Sequence, residues 1–143
     1  MRPPDDEKKQ IVGEWLHKAD DDMTLAEYLV SAEKLFTSAI TFHCQQASEK
    51  YIKALLTWWD VEFPKTHDLQ NLLDLVGTVS CELADKLQDI IVLTPYGVEM
   101  RYPGDRPDAD ADEARQAVEL ASTVRAAVLP LLPASPGPLQ TER

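Results

Sequence analysis

Apolar side chains recur at three- and four-residue steps along most of this chain, and that spacing predicts helices. From Glu7 to about Glu33, Val12, Trp15, Leu16, Ala19, Met23, Ala26 and Val30 share one face. Glu14, Lys18, Asp21, Thr24, Glu27 and Tyr28 lie opposite, facing solvent or a subunit. A second helix, about Phe36 to Trp59, is apolar on two sides. Phe36, Ile40, Ala47, Tyr51, Ala54 and Trp58 form one stripe; Ile52, Leu56 and Trp59 form another sector. Gln46, Glu49, Lys50 and Lys53 make a polar seam about 100° wide. A helix of this kind belongs in a bundle interior, where its seam must find partners.

A third helix is expected from Leu69 to Val76, capped by Thr66 or Asp68 and closed by Gly77. A fourth runs from Ser80 to about Leu93, with Leu83, Leu87, Ile90 and Ile91 on one side. Thr94-Pro95-Tyr96-Gly97 and Pro103-Gly104-Asp105-Arg106-Pro107 punctuate the loop that follows. The last helix, about Asp108 to Leu129, buries Ala114, Ala117, Val118, Ala121, Val124 and Val128. Nothing alternates with period two for long, and no tandem repeat occurs. The prediction is an all-α, antiparallel up-and-down bundle of four to five helices. It spans residues 7–132, with flexible ends at 1–6 and 133–143.

Composition narrows this picture only slightly. With 143 residues the chain can bury a core as one domain, and five glycines disfavour a turn-rich β fold. Cys44 and Cys81 lack metal-ligand or disulfide spacing, so reduced thiols are expected, with no metal and no cofactor. No stretch is apolar enough to cross a membrane and the N-terminus has no signal-peptide pattern, so a cytoplasmic protein is expected. The net charge is −11, with 25 acidic residues against 14 Lys and Arg. That balance excludes broad binding to a nucleic-acid duplex. A small basic pocket or a basic protein partner remains compatible with it.

Several residues are candidates for chemistry. Asp22 borders the apolar stripe of the first helix, where a carboxylate needs a cation, water or a lysine from the next helix. Glu49 and Lys53 are spaced as an intrahelical ion pair. Alternatively, Lys53 neutralises a phosphate while Gln46 or Glu49 fixes a base or sugar hydroxyl. His43 reads as a satisfied core histidine and His17 as solvated. His67 stands at a helix entrance, as a cap or as an acid/base group. Arg101 is suited to phosphate or carboxylate, or to pairing with Asp22 or Glu49; Tyr102 is suited to stacking or packing. No phosphate loop, zinc-protease or nucleophile-elbow motif is present.

The order of three motifs adds a resemblance. Ala19-Asp20-Asp21-Asp22-Met23 through Phe42-His43-Cys44-Gln45-Gln46-Ala47-Ser48-Glu49-Lys50-Tyr51-Ile52-Lys53-Ala54-Leu55-Leu56, then Pro64-Lys65-Thr66-His67-Asp68-Leu69, then Arg101-Tyr102-Pro103 resemble the HEPN domain (higher eukaryotes and prokaryotes nucleotide-binding). The likeness covers about residues 8–130. It implies a helical homodimer that binds a nucleotide or RNA, or acts beside a minimal nucleotidyltransferase in a toxin–antitoxin pair. It places Asp22, Gln46, Glu49, Lys53, His67, Arg101 and Tyr102 in one candidate pocket. Active members are metal-independent ribonucleases with an Arg followed four to six residues later by a His. Here positions 105–107 are Asp, Arg and Pro, and no histidine follows His67. The resemblance therefore implies a binding subunit first. A ribonuclease with an Arg101/His67 site, or a non-catalytic structural dimer module, is the alternative.

Overall fold

A computed structural model of the chain describes residues 5–97 and 108–133. Among these residues are five α-helices: α1 (Asp5–Val30), α2 (Thr37–Trp58), α3 (Leu69–Gly77), α4 (Cys81–Lys86) and α5 (Ala111–Val128). Two 3₁₀ segments, Gln88–Gly97 and Leu129–Leu131, complete the order. No strand occurs among the described residues, and the all-α bundle expected from the periodicity is the fold. None of the helices described is long and apolar enough to cross a membrane.

The helix α2 is the axis. Ile40, Cys44, Ala47, Tyr51, Ile52, Ala54, Leu55 and Leu56 are all fully buried, on more than one side of it. Both α1 and α5 pack on α2 far more extensively than on each other, while α3 and the long 3₁₀ segment cover another side. Such a helix keeps no free face for its polar side chains, which is why their bonding decides the site. The first helix runs antiparallel to it. Lys8 meets Asp60, Lys53 lies by Trp15, and Asp22 meets Lys50, so rising numbers on one helix face falling numbers on the other. The exposed side expected for α1 is exposed, Tyr28 included.

The end of α2 shows how local chemistry sets the site's framework. Asp60 takes φ of 61°, the left-handed region that usually selects glycine. Its N–H bonds the Thr57 carbonyl at 3.1 Å, and the Val61 N–H bonds that of Leu56 at 2.9 Å. This paired arrangement satisfies the last carbonyls of α2 and turns the chain sharply. The Asp60 side chain has its own role: it accepts from Lys8 Nζ at 2.9 Å, and that ammonium also lies 4.7 Å from the Trp58 ring centroid. The C-terminus of α2 is thereby pinned to the start of α1.

Boundaries differ from the sequence reading at the first, fourth and last helices; α1 ends at Val30 rather than near Glu33. The fourth helix does not continue to Leu93; α4 ends at Lys86 and a 3₁₀ segment follows through Thr94-Pro95-Tyr96-Gly97. Leu87, Ile90 and Leu93 are spaced by three, so three residues per turn buries all of them. In consequence Ile91 is exposed rather than core. The last helix begins at Ala111 because Asp110 caps it: Asp110 accepts from the Glu113 N–H at 2.7 Å, and Glu113 accepts from the Asp110 N–H at 2.8 Å. At the third helix Asp68, rather than Thr66, is the cap, accepting from the Gln70 N–H at 2.9 Å.

Candidate functional site

The polar positions of α2 are held from two directions, and they form two clusters. The deeper one is centred on Glu49, whose side chain is 4% exposed. Lys53 Nζ donates to Glu49 Oε2 at 2.8 Å, and Gln45 Nε2 donates to Oε1 at 3.2 Å. His67 Nδ1 lies 2.9 Å from the same Oε1. A buried carboxylate is tolerated when paired and fully hydrogen-bonded, and this one has three donors. Lys53 is itself covered by aromatic rings, with centroids of Trp15 and Phe63 at 5.6 and 5.7 Å. Those rings meet edge to face at 6.2 Å.

Gln45 locks the cluster to the turn before α3. Its amide donates to the His67 carbonyl at 3.0 Å and its Oε1 accepts from Gln46 Nε2 at 2.7 Å. Gly97 ends the 3₁₀ segment against this amide; a Cβ there would stand 2.9 Å from Gln45 Cδ, so any other residue would displace the Gln45 amide. His67 is not the helix cap, since Asp68 holds that position. Instead its imidazole reaches back to α2 while the side chain stays 69% exposed. Against a carboxylate Nδ1 carries the proton, so in the neutral ring Nε2 is left as an acceptor toward solvent.

The second cluster is shallower and joins α1 to α2. Lys50 Nζ donates to Asp22 Oδ2 at 2.6 Å, and His43 Nδ1 lies 2.8 Å from Asp22 Oδ1. Asp22 is thus met by a lysine of the next helix, the structural reading of its position at the edge of the stripe. His43 is not a core histidine: its side chain is a quarter exposed and its partner is a carboxylate. Lys50 likewise leaves the seam that contains Lys53. Asp22 shares partners with neither Glu49 nor His67 among the described residues.

On another flank, α2 faces α1 and α5 through Tyr51. Its hydroxyl donates to Asp20, which also accepts from Arg125 Nε at 3.2 Å. Burial and the bond to Asp20 push the phenol's pKa well up. Burial, with Glu27 and Asp22 adding negative charge nearby, pushes the Cys44 thiol up to about 12. Both groups are therefore neutral and chemically quiet near neutral pH.

Of the residues expected in one pocket, Gln46, Glu49, Lys53 and His67 come together through Gln45, and Asp22 belongs to the neighbouring cluster. Arg101 and Tyr102 lie outside the described residues. Gln45 went unnoticed in the sequence because it sits beside the seam rather than in it. Its signal was available: it lies four residues before Glu49, one helical turn on the same side. Lys8 gave no such signal, since its partner Asp60 lies 52 residues away, in a turn of left-handed backbone.

No curated protein and no solved structure matches the chain. The HEPN domain matches it over residues 12–131, which takes in all five helices from the second turn of α1 onward. That match spans most of the chain and includes both polar clusters, so the protein belongs to the HEPN domain family.

Proposed function

We propose that this protein is a HEPN-type subunit that binds a phosphate-bearing ligand, a nucleotide or an RNA end, at His67. It works as a homodimer beside a nucleotidyltransferase-like partner, in a toxin–antitoxin type module. The observation that carries this reading is the His67 imidazole: one nitrogen is held by a buried carboxylate, and the ring is otherwise open to solvent. A histidine so oriented loses little freedom when it meets a ligand. Lys53 then has a different role from phosphate neutralisation. It neutralises Glu49, which allows that carboxylate to remain buried beneath the histidine. The acidic body, at −11, favours a protein partner over a long free RNA.

Calorimetric titration of the purified protein with ATP and with a 5′-phosphorylated oligonucleotide tests the ligand. Binding to wild type and its loss in His67→Ala, with the helical circular dichroism unchanged, are expected. No binding to either probe, or equal binding by the variant, overturns the proposal. Co-purification with the product of the neighbouring gene tests the partner.

The same geometry favours a second reading, a ribonuclease in which His67 moves protons. A carboxylate behind Nδ1 fixes the tautomer and stabilises the imidazolium formed when Nε2 accepts a proton. RNA cleavage that survives His67→Ala excludes it. If neither binding nor cleavage depends on His67, the cluster is only the brace of a structural dimer module.

A further inference from the structure

A second site lies away from His67, in the cleft left where α1 and α5 both lean on α2 but scarcely touch each other. Its volume is about 370 Å³, within the range of small-ligand pockets, and Asp20, Met23, Thr24, Glu27, Ser122, Arg125 and Ala126 line it. The two ends differ in charge. At one end Arg125 is held through Nε alone by Asp20 Oδ1, which Tyr51 fixes from the core. Nε is thereby spent; the Tyr51 hydroxyl also neighbours the guanidinium, and among the described residues no other carboxylate pairs with it. A guanidinium oriented from behind by a fixed carboxylate is well suited to receive a second carboxylate.

At the other end is Glu27, in the last turn of α1. That turn carries no basic residue, and no described residue pairs with Glu27. Its charge adds to the negative end of the helix dipole, so this end attracts a cation. Glu27 lies seven residues, two helical turns, from Asp20, which sets the charged ends about 10 Å apart along α1. Thr24 and Ser122 also line the cleft, and Met23 and Ala126 supply apolar wall.

We propose that this cleft binds a linear zwitterion, a small molecule whose ammonium meets Glu27 and whose carboxylate meets Arg125, joined by a short methylene chain. A neutral ligand of this type does not rely on the overall acidity of the protein, which distinguishes it from a counterion gathered by net charge.

The test is titration of the isotopically labelled protein with 6-aminohexanoate, hexylamine and hexanoate, followed by NMR. The zwitterion is expected to saturate and to shift the amides of Thr24 and Ser122, with each half-molecule binding at least about tenfold more weakly. Glu27→Gln, at an exposed position that leaves the fold intact, is expected to weaken the zwitterion about tenfold or more. Arg125→Lys keeps a cation for Asp20 but not the planar fork, and should weaken it similarly. Glu82→Gln, the same charge change on α4, should have no effect. Hexylamine binding as well as the zwitterion, equal responses to Glu27→Gln and Glu82→Gln, or shifts that map elsewhere would each overturn the assignment.

Discussion

Lys50 and Lys53 stand one turn apart on the same helix and have opposite surroundings. Lys53 is 8% exposed, roofed by two aromatic rings and paired to a carboxylate with three donors. Lys50 is 21% exposed and pairs with Asp22, a carboxylate that can still be reached by water. Identical side chains in one polar seam therefore obey different rules. A buried pair is costly to assemble and far more costly to break singly, because the survivor is left charged without solvent. A shallow pair exchanges its partner for water at small cost. Position along the helix does not distinguish the two; what packs over each does.

The largest effect should come from breaking the deep pair on one side. Glu49→Ala leaves Lys53 buried under Trp15 and Phe63 with no carboxylate, and removes the acceptor for Gln45 and His67. A loss of about 3–5 kcal/mol is expected, a fall in Tm on the order of 10–20 °C. Replacing both partners, Glu49→Leu with Lys53→Met, should cost much less than the sum of the single changes. Thermal unfolding of the three variants measures this directly. Additive costs would mean that the two charges are already solvated, and the contrast with Lys50 would collapse.

The opposite flank of α2 extends the comparison to groups that are buried in their neutral forms. Cys44 and Tyr51 are kept in their neutral forms by burial, Tyr51 also by its bond to Asp20. Because the folded pKa of each is raised, each contributes its full stability at neutral pH and loses it as pH rises. For Cys44 that window opens near 9.0, its ordinary value, and closes near 12. The urea midpoint should therefore decline steadily above pH 9, and Cys44→Ala combined with Tyr51→Phe should flatten that decline. An unchanged slope in the double variant would place the alkaline sensitivity elsewhere. In native protein near neutral pH, iodoacetamide should label exposed Cys81 and spare Cys44.

The fold was legible in the sequence where burial follows helical period. The exposed side of α1 and the interior character of α2 can both be read from spacing alone. The 3₁₀ segment was missed because leucine and isoleucine at 83, 87, 90 and 91 fit an α-helix as far as Ile91; only Leu93 and Tyr96 extend the three-residue step. The site was legible in part. Spacing marked Glu49 and Lys53 as a pair, but it is silent on depth, and depth is supplied by Trp15 from α1 and Phe63 from the turn. His67 was marked by its place before α3. That it should serve α2 rather than cap α3 depends on Asp68 being the better cap, an outcome of competition between adjacent side chains.

The smallest effect is expected at the shallow pair, and it is the sharper test of the comparison. Asp22→Ala frees Lys50 and His43, but both are already a fifth to a quarter exposed and can turn to water. The cost should be about 1 kcal/mol or less and should shrink further in high salt, because exposed pairs are screened and buried ones are not. Urea unfolding of Asp22→Ala and Glu49→Ala in low and in molar salt separates the cases. The Asp22 penalty should fade toward zero while the Glu49 penalty stays. If Asp22→Ala were instead as damaging as Glu49→Ala, the α1–α2 contact would depend on this carboxylate as much as on its apolar stripe. The shallow cluster would then have to be regarded as part of the core.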